Sequence, residues 1–379
     1  MPHHSLKTSF IYFVSTLCIF LISCETRTTK KEDSGQEMKN TFNLPDSLSA
    51  RRLTLVLALR DTLGANAWEG FNKKRVEGTF NYFNGTHSEI FFPDSLTLAK
   101  LDTFKKYSED YVLSPRTDTI PYHFELMISF DPADSAKYYY EHPVQQFLSV
   151  EETRQFIPSV TSTEWWTTMV IHEMFHHYQY NTPAFGAYAR SVIGNLPIDI
   201  RNLIELCQTD TTFLEMIRKE NDLLLGALAE NNDDQKIALL REYLSNREKR
   251  ISKYGKDREF LEQVENYYVI QEGGARYLEY QAMKAMEDMY RNQPEPILEN
   301  DTLFRGFEEF REVDLTREEF SYLTYADPYT YHYAIGFNLM RVLDALNIDY
   351  RQNLLHHPEV PLHQYLKTYL DSATQAGSQ

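Results

Sequence analysis

The chain is poor in cysteine, carries a single long apolar run, and has too few basic residues to balance its acids. Three cysteines stand in 379 residues, and Cys18 and Cys24 both lie at the extreme N-terminus. Cys207 is then alone in the remainder, which excludes an internal disulfide framework and leaves the hydrophobic core to hold the fold. Within LIELCQ, Cys207 reads as a small buried hydrophobe and not as a nucleophile. Lys and Arg number 38 against 55 Asp and Glu, a formal net charge of −17. That balance excludes nucleic acid as a partner, because phosphate binding needs clustered cations. It predicts solubility and repulsion from anionic surfaces. Beyond the N-terminal FIYFVSTLCIFLI no stretch reads as a transmembrane helix, and no internal repeat is present. What is abundant is aromatic: 26 Tyr and 23 Phe.

MPHHSLK is a short, weakly basic start, and the apolar run behind it is too short to span a bilayer comfortably, which is the pattern of an export signal. The run ends in Leu21-Ile22-Ser23-Cys24, which resembles the lipobox of bacterial lipoproteins. The plainer reading of the same residues is a secretory signal with a chance cysteine. The resemblance implies that residues 1–23 are removed and that Cys24 is acylated. The protein would then be lipid-anchored in the cell envelope, on its periplasmic or cell-surface face. Residues 24–45 are polar and charged, as a flexible tether would be. KKED within them is similar to the short charged export signals of some Bacteroidota surface lipoproteins.

From 46 to 160 helices and strands mix. SLSARRLTLVLALRDTLG has helical spacing of its apolar residues. GTFNYFNGTHSEIFFP reads as a hairpin turning at Asn84-Gly85, and PYHFELMISF as a strand. From 161 to 379 the pattern is helical, with helices expected over 197–248 (broken at least once), 257–291, 301–312 and 332–346. The class is α+β, mainly α, with a small antiparallel sheet in the N-terminal half; residues 46–379 could form one compact domain.

The chemistry concentrates in WWTTMVIHEMFHHYQYN, residues 165–181. Thr161-Ser162-Thr163-Glu164 fits a capping box with Thr161 as N-cap and Glu164 at N3, so a helix should start there. Asn181 and Pro183 should stop it. On that helix His172-Glu173-Met174-Phe175-His176 is H-E-x-x-H. The i to i+4 spacing puts both imidazoles on one face, within reach of one ion. Glu173, offset around the helix, can take a proton from water beside that ion. His177 projects elsewhere, as a supporting or surface histidine. Trp165, Trp166, Met169, Val170, Ile171 and Phe175 mark a buried helix, where two histidines and a carboxylate are costly unless a metal satisfies them.

Catalytic zinc usually has three protein ligands plus water, so a further carboxylate is expected. VIQEGGARYLEY offers Glu272, followed by two glycines that cost a helix interior roughly 2 kcal/mol against alanine. Close approach of a neighbouring helix would compensate. Glu279 is the competing carboxylate; Glu205, Glu215 and Glu230 are weaker choices. The plainer reading of Glu272 is an i,i+4 ion pair with Arg276.

HEMFHH followed by a helical Glu-Gly-Gly-Ala resembles the gluzincins, zinc peptidases whose third ligand is a glutamate on a second helix; the Glu-Gly-x-Ala form is similar to their aminopeptidase branch. The resemblance implies a zincin-like fold and a Zn2+ site of His172, His176 and Glu272, with Glu173 as base and proton shuttle. It also implies a Tyr or His on a later helix to stabilise the oxyanion, which points to Tyr333 and His332 in DPYTYHYAIGFNLMRVLDAL, residues that otherwise read as aromatic core. A peptide or protein would be the substrate, and PYHFELMISF could pair with it as an edge strand. Glu272 follows His176 by 96 positions, far more than in familiar members, so the intervening helices should loop out from the site. Two other readings compete. A non-enzymatic surface lipoprotein with a zincin-like fold, binding peptide or glycan, would make Glu173 dispensable. A structural helical domain would bind no metal.

Overall fold

The computed structural model describes residues 44–376, apart from 73–78, 86, 100, 116–123, 127–128, 132–133, 140–144 and 293–297. Only the backbone is described at 96, 124–126, 129–131, 134–139, 145 and 374–376. The signal, the lipobox and the tether up to residue 43 lie outside these residues.

Helix α1 (Leu48–Asn66) opens on Ser47, whose side chain accepts the Ala50 amide, and it buries Leu53, Val56, Leu59 and Leu63. Strands β1 (Phe80–Asn84) and β2 (His87–Phe91) form the expected hairpin, with Gly85 at φ +55° in the left-handed conformation its turn requires. A short α2 (Ser95–Ala99) leads to β3 (Lys105–Ser108) and β4 (Tyr111–Pro115). The expected single strand in PYHFELMISF is instead two pieces, β5 (Phe124–Leu126) and β6 (Ser129–Asp131), in different sheets. Among the described residues β6 pairs with β7 (Asp134–Tyr139) alone, whereas β5 joins β8 (Gln145–Leu148).

The main sheet runs β3-β4-β2-β1-β8-β5. It is not purely antiparallel, because β8 lies parallel to β1. A chain that leaves β2 for the far side and returns beside β1 by a long connection can run in either sense, and local hairpin patterns do not encode that choice.

Then follow α3 (Val150–Phe156), α4 (Thr163–Asn181), α5 (Pro183–Ser191), α6 (Ile200–Thr209), α7 (Thr211–Ala229), α8 (Asp233–Ser252) and α9 (Arg258–Asn292). After it come α10 (Ser321–Thr324), α11 (Tyr331–Ala345), α12 (Arg351–Leu354) and α13 (Leu362–Ala376). The molecule is mainly helical with a small mixed sheet in its N-terminal half. One hydrophobic cluster, from Ala50 to Leu370, joins sheet and helices. Among the described residues no helix is long and apolar enough to cross a membrane.

Two expectations need correction. The N-cap of α4 is Ser162, which accepts the Trp165 amide at 3.3 Å, while Thr161 donates to Glu309. Glu164 is fully buried and accepts the backbone N–H groups of Arg305 and Phe307 at 2.8 and 2.9 Å. The expected helix over 301–312 is a series of turns with one short 3-10 segment, Glu308–Phe310. Gly306 and Phe307 both sit at φ +63°, which no right-handed helix tolerates, and their segment folds onto Glu164 instead. The helices between α4 and α9 place no residue among His172, His176 and Glu272 and are packed into the body of the fold. Helix α7 packs on α8 and α11, with Asn338 donating to Asn221, and Arg250 of α8 is buried between Glu220 of α7 and Glu265 of α9.

Candidate metal centre

Two glycine seams bring three helices together. A Cβ on Gly274 would lie 3.0 Å from the Phe175 ring and 3.2 Å from the Gln179 amide, so α9 rests directly on α4. A Cβ on Gly273 would lie 2.5 Å from the Cα of Gly336, so α9 also meets α11 backbone to backbone. The expected close approach is real, and it involves two partner helices, not one. Glu272, immediately before this pair, is thereby carried to the histidines of α4.

His176 Nε2 lies 3.2 Å from Glu272 Oε2, and His172 Nε2 lies 3.6 Å from the same atom. The opposite ring nitrogens are engaged elsewhere: His172 Nδ1 donates to Glu279 Oε2 at 3.2 Å and His176 Nδ1 to Gln179 Oε1 at 2.9 Å. Gln179 cannot turn away, because its amide donates to the carbonyls of Ile270 and Gln271 at 3.2 and 3.0 Å. Each imidazole, when neutral, is thus held with its Nε2 lone pair toward Glu272, the tautomer that a metal requires. The edge of a tetrahedron with bonds of about 2.0–2.1 Å is about 3.3 Å, so these spacings match ligands on one small cation. Ligand atoms of His172, Glu173 and His176 also lie within 4.8 Å of one another, so the Glu173 carboxylate stands beside both imidazoles. Two nitrogens, a carboxylate and a neighbouring free carboxylate fit zinc.

Electrostatics agree. Burial opposes the charge on Glu272, yet His176 and His172 hold its carboxyl well below the usual range. Burial likewise opposes an imidazolium, but Glu272 and Glu279 outweigh it and push His172 up to about 10 without a metal. His176 moves the same way, with Glu272 the main opposing influence to burial. These rings are surrounded by negative charge that a cation would answer. Glu173 is raised, by burial first, against the pull of both histidines.

Of the other site candidates, Tyr333 stands with its ring stacked on His172 at 6.1 Å between centroids, and its hydroxyl reaches the Glu272 carboxylate. Burial, then Glu272, pushes this phenol far above its ordinary value. His332 is 3 % exposed, boxed by Tyr268, Tyr331 and Tyr333, and its Nδ1 has no hydrogen-bond partner. Burial lowers it to about 4, so it is neutral. Glu279 binds the outer face of His172 and receives the Tyr322 hydroxyl. Glu205 and Glu215 are exposed on α6 and α7, and Glu230 accepts the Asn232 amide. His177 is buried at 1 % exposure, against Asn181, and is not a surface histidine. Cys207 is buried and free, its thiol pushed up to about 12 by burial.

Gln179, Tyr322 and Gly336 were missed by sequence reasoning. Gln179, three residues past His176 on its own helix face, and Gly336 inside an apolar helix both carried a signal. Tyr322 carried none, for its contact to Glu279 spans 43 positions and an irregular segment. Comparison with family models, curated proteins and solved structures returned no match to this chain.

Proposed function

We propose that this protein is a zinc-dependent metallopeptidase of gluzincin type, with a zincin-like fold, exported and lipid-anchored in the cell envelope at Cys24. One observation carries the reading: both Nε2 atoms converge on one oxygen of Glu272 while both Nδ1 atoms are tied away from it. Buried polar groups kept for packing alone would have no need of that orientation. The i,i+4 alternative for Glu272 loses support too, because Arg276 turns instead to the Tyr322 carbonyl at 2.9 Å.

His172, His176 and Glu272 would hold the ion. Zinc bound there supplies Lewis acidity toward a peptide carbonyl and toward water. Glu173, partly buried and raised above an ordinary carboxylate, takes the proton of the attacking water as the new C–O bond forms. It returns that proton to the nitrogen as the C–N bond breaks, giving a free acid and a free amine. Tyr333, whose hydroxyl stands at Glu272, donates to the oxygen that gathers charge. An extended peptide has a strand to pair with, since β5 is an edge of the sheet and packs on α4. Partners are peptide or protein substrates and the membrane at Cys24, with no role for nucleic acid.

The test is a screen of zinc-loaded residues 25–379 against a peptide library, read by mass spectrometry, with Glu173→Gln beside wild type. Cleavage by wild type alone, at a rate at least about 100-fold above the variant, is expected for loss of a general base. Equal cleavage by both, or none by zinc-loaded wild type, overturns the reading.

A further inference from the structure

Five arginines are buried among the described residues: Arg52, Arg60, Arg247, Arg250 and Arg276. Four of them meet a carboxylate. Arg52 pairs with Asp301 and Glu151, Arg60 with Asp61, Arg247 with Glu262 and Glu265, and Arg250 with Glu220 and Glu265. Arg276 is 8 % exposed and forms no ion pair among the described residues. Its one hydrogen bond is Nη1 to the Tyr322 carbonyl, and its Nε is buried without a partner. Its guanidinium lies over two rings, 4.4 Å from the centroid of Tyr333 and 5.5 Å from that of Tyr322.

An unpaired buried cation is costly, and a chain that pairs its other buried arginines with acids would be expected to pair this one. The location supplies a reason. Arg276 is one helical turn past Glu272, an axial rise of about 6 Å. Tyr333 bridges the interval, with its hydroxyl at Glu272 and its ring face under the guanidinium. The proposed metal ligand, the Tyr333 ring and the unpaired cation are therefore neighbours in space.

Resting on the peptidase reading, we propose that Arg276 receives the C-terminal carboxylate of the substrate, so that the enzyme removes one or two residues from the C-terminal end of peptides. The rise of about 6 Å along α9 from Glu272 to Arg276 matches one or two residues of an extended peptide, which advances about 3.3–3.6 Å per residue. A planar guanidinium is suited to a carboxylate, and the two aromatic faces it lies over hold it without neutralising its charge.

The experiment measures binding of N-benzoylglycyl-phenylalanine and of its C-terminal amide by calorimetry, with zinc-loaded residues 25–379. The Glu173→Gln background prevents turnover, and Arg276→Gln and Arg276→Lys are added to it. The acid is expected to bind about 30-fold tighter than the amide, as for a charge-assisted pair. In Arg276→Gln the two should bind within about threefold, and Arg276→Lys should restore part of the preference. Equal binding of acid and amide overturns the proposal, as does a preference that survives in Arg276→Gln. If Arg276 only props up Tyr322 and Tyr333, its loss weakens acid and amide alike, which also overturns it. Equal binding alongside cleavage of both ligands by wild type leaves the peptidase reading standing. Acid preference without cleavage of any peptide supports the carboxylate site and removes the peptidase.

Discussion

The contact of Gly336 with α9 makes a quantitative prediction. A Cβ at Gly336 would lie 2.2 Å from the Val269 carbonyl oxygen and 2.7 Å from the Cα of Gly273. Both are backbone atoms, so no rotamer change relieves the overlap, and the helices must part by about 1 Å to restore van der Waals separation. Overpacking of this kind costs up to about 3 kcal/mol, against which alanine recovers about 1 kcal/mol of helix propensity. Gly336→Ala should therefore be destabilised by about 2 kcal/mol. For a chain of this size the melting temperature should fall by about 2–3 °C. Tyr333 and Glu272 sit on the two helices being separated, so peptide cleavage should fall by up to about 100-fold. The control is Gly226→Ala in α7, where the new methyl meets only the Leu239 Cδ1 at an ordinary 3.7 Å. That variant should gain up to about 1 kcal/mol. Scanning calorimetry of wild type and both variants, with zinc titration of each, decides the matter. If Gly336→Ala melts at or above wild type, the backbone seam between α9 and α11 is not what sets Tyr333 over the centre.

Two further outcomes follow from the surroundings of the proposed ligands. Burial lowers His332 to about 4, so between about pH 6.5 and 4 the unfolded chain takes up a proton that the folded one refuses. Its contribution to stability is present above the unfolded value and is lost as pH falls through that window. Wild-type stability should carry a slope of up to about 1.4 kcal/mol per pH unit there that His332→Phe lacks, and identical urea midpoints across pH 4–6.5 would refute it. Glu279→Gln and Gln179→Leu each release one imidazole from its outer partner. Each should weaken zinc binding by about 10–100-fold in a chelator competition, and an unchanged affinity would mean that these contacts do not orient the rings.

Much of the centre was legible because it is local. His172, Glu173 and His176 lie within one helix turn of each other, and the helix that carries them is written in its own apolar pattern. Glu272 was legible for another reason: two glycines inside a helical stretch demand a close neighbour, and the structure supplies α4 and α11. The hairpin at Gly85 and the long α9 were similarly encoded by turn chemistry and periodicity. What was not legible depended on distant partners. Glu164 fits a capping box by spacing, yet it is claimed by backbone amides some 140 positions away. The 301–312 segment has helical composition, but Gly306 and Phe307 adopt left-handed conformations to reach that carboxylate. The parallel β1–β8 pairing and the packing of α7 against α11 likewise rest on contacts that no local pattern announces.

The central claim is that His172, His176 and Glu272 hold one metal ion, with Glu279 outside it. Elemental analysis of purified residues 25–379 tests this directly, with wild type compared with Glu272→Ala and Glu279→Ala after dialysis against trace zinc. About one zinc per wild-type chain is expected, almost none in Glu272→Ala, and zinc retained at reduced affinity in Glu279→Ala. Full zinc in Glu272→Ala, or none in wild type even after zinc is added, would contradict it.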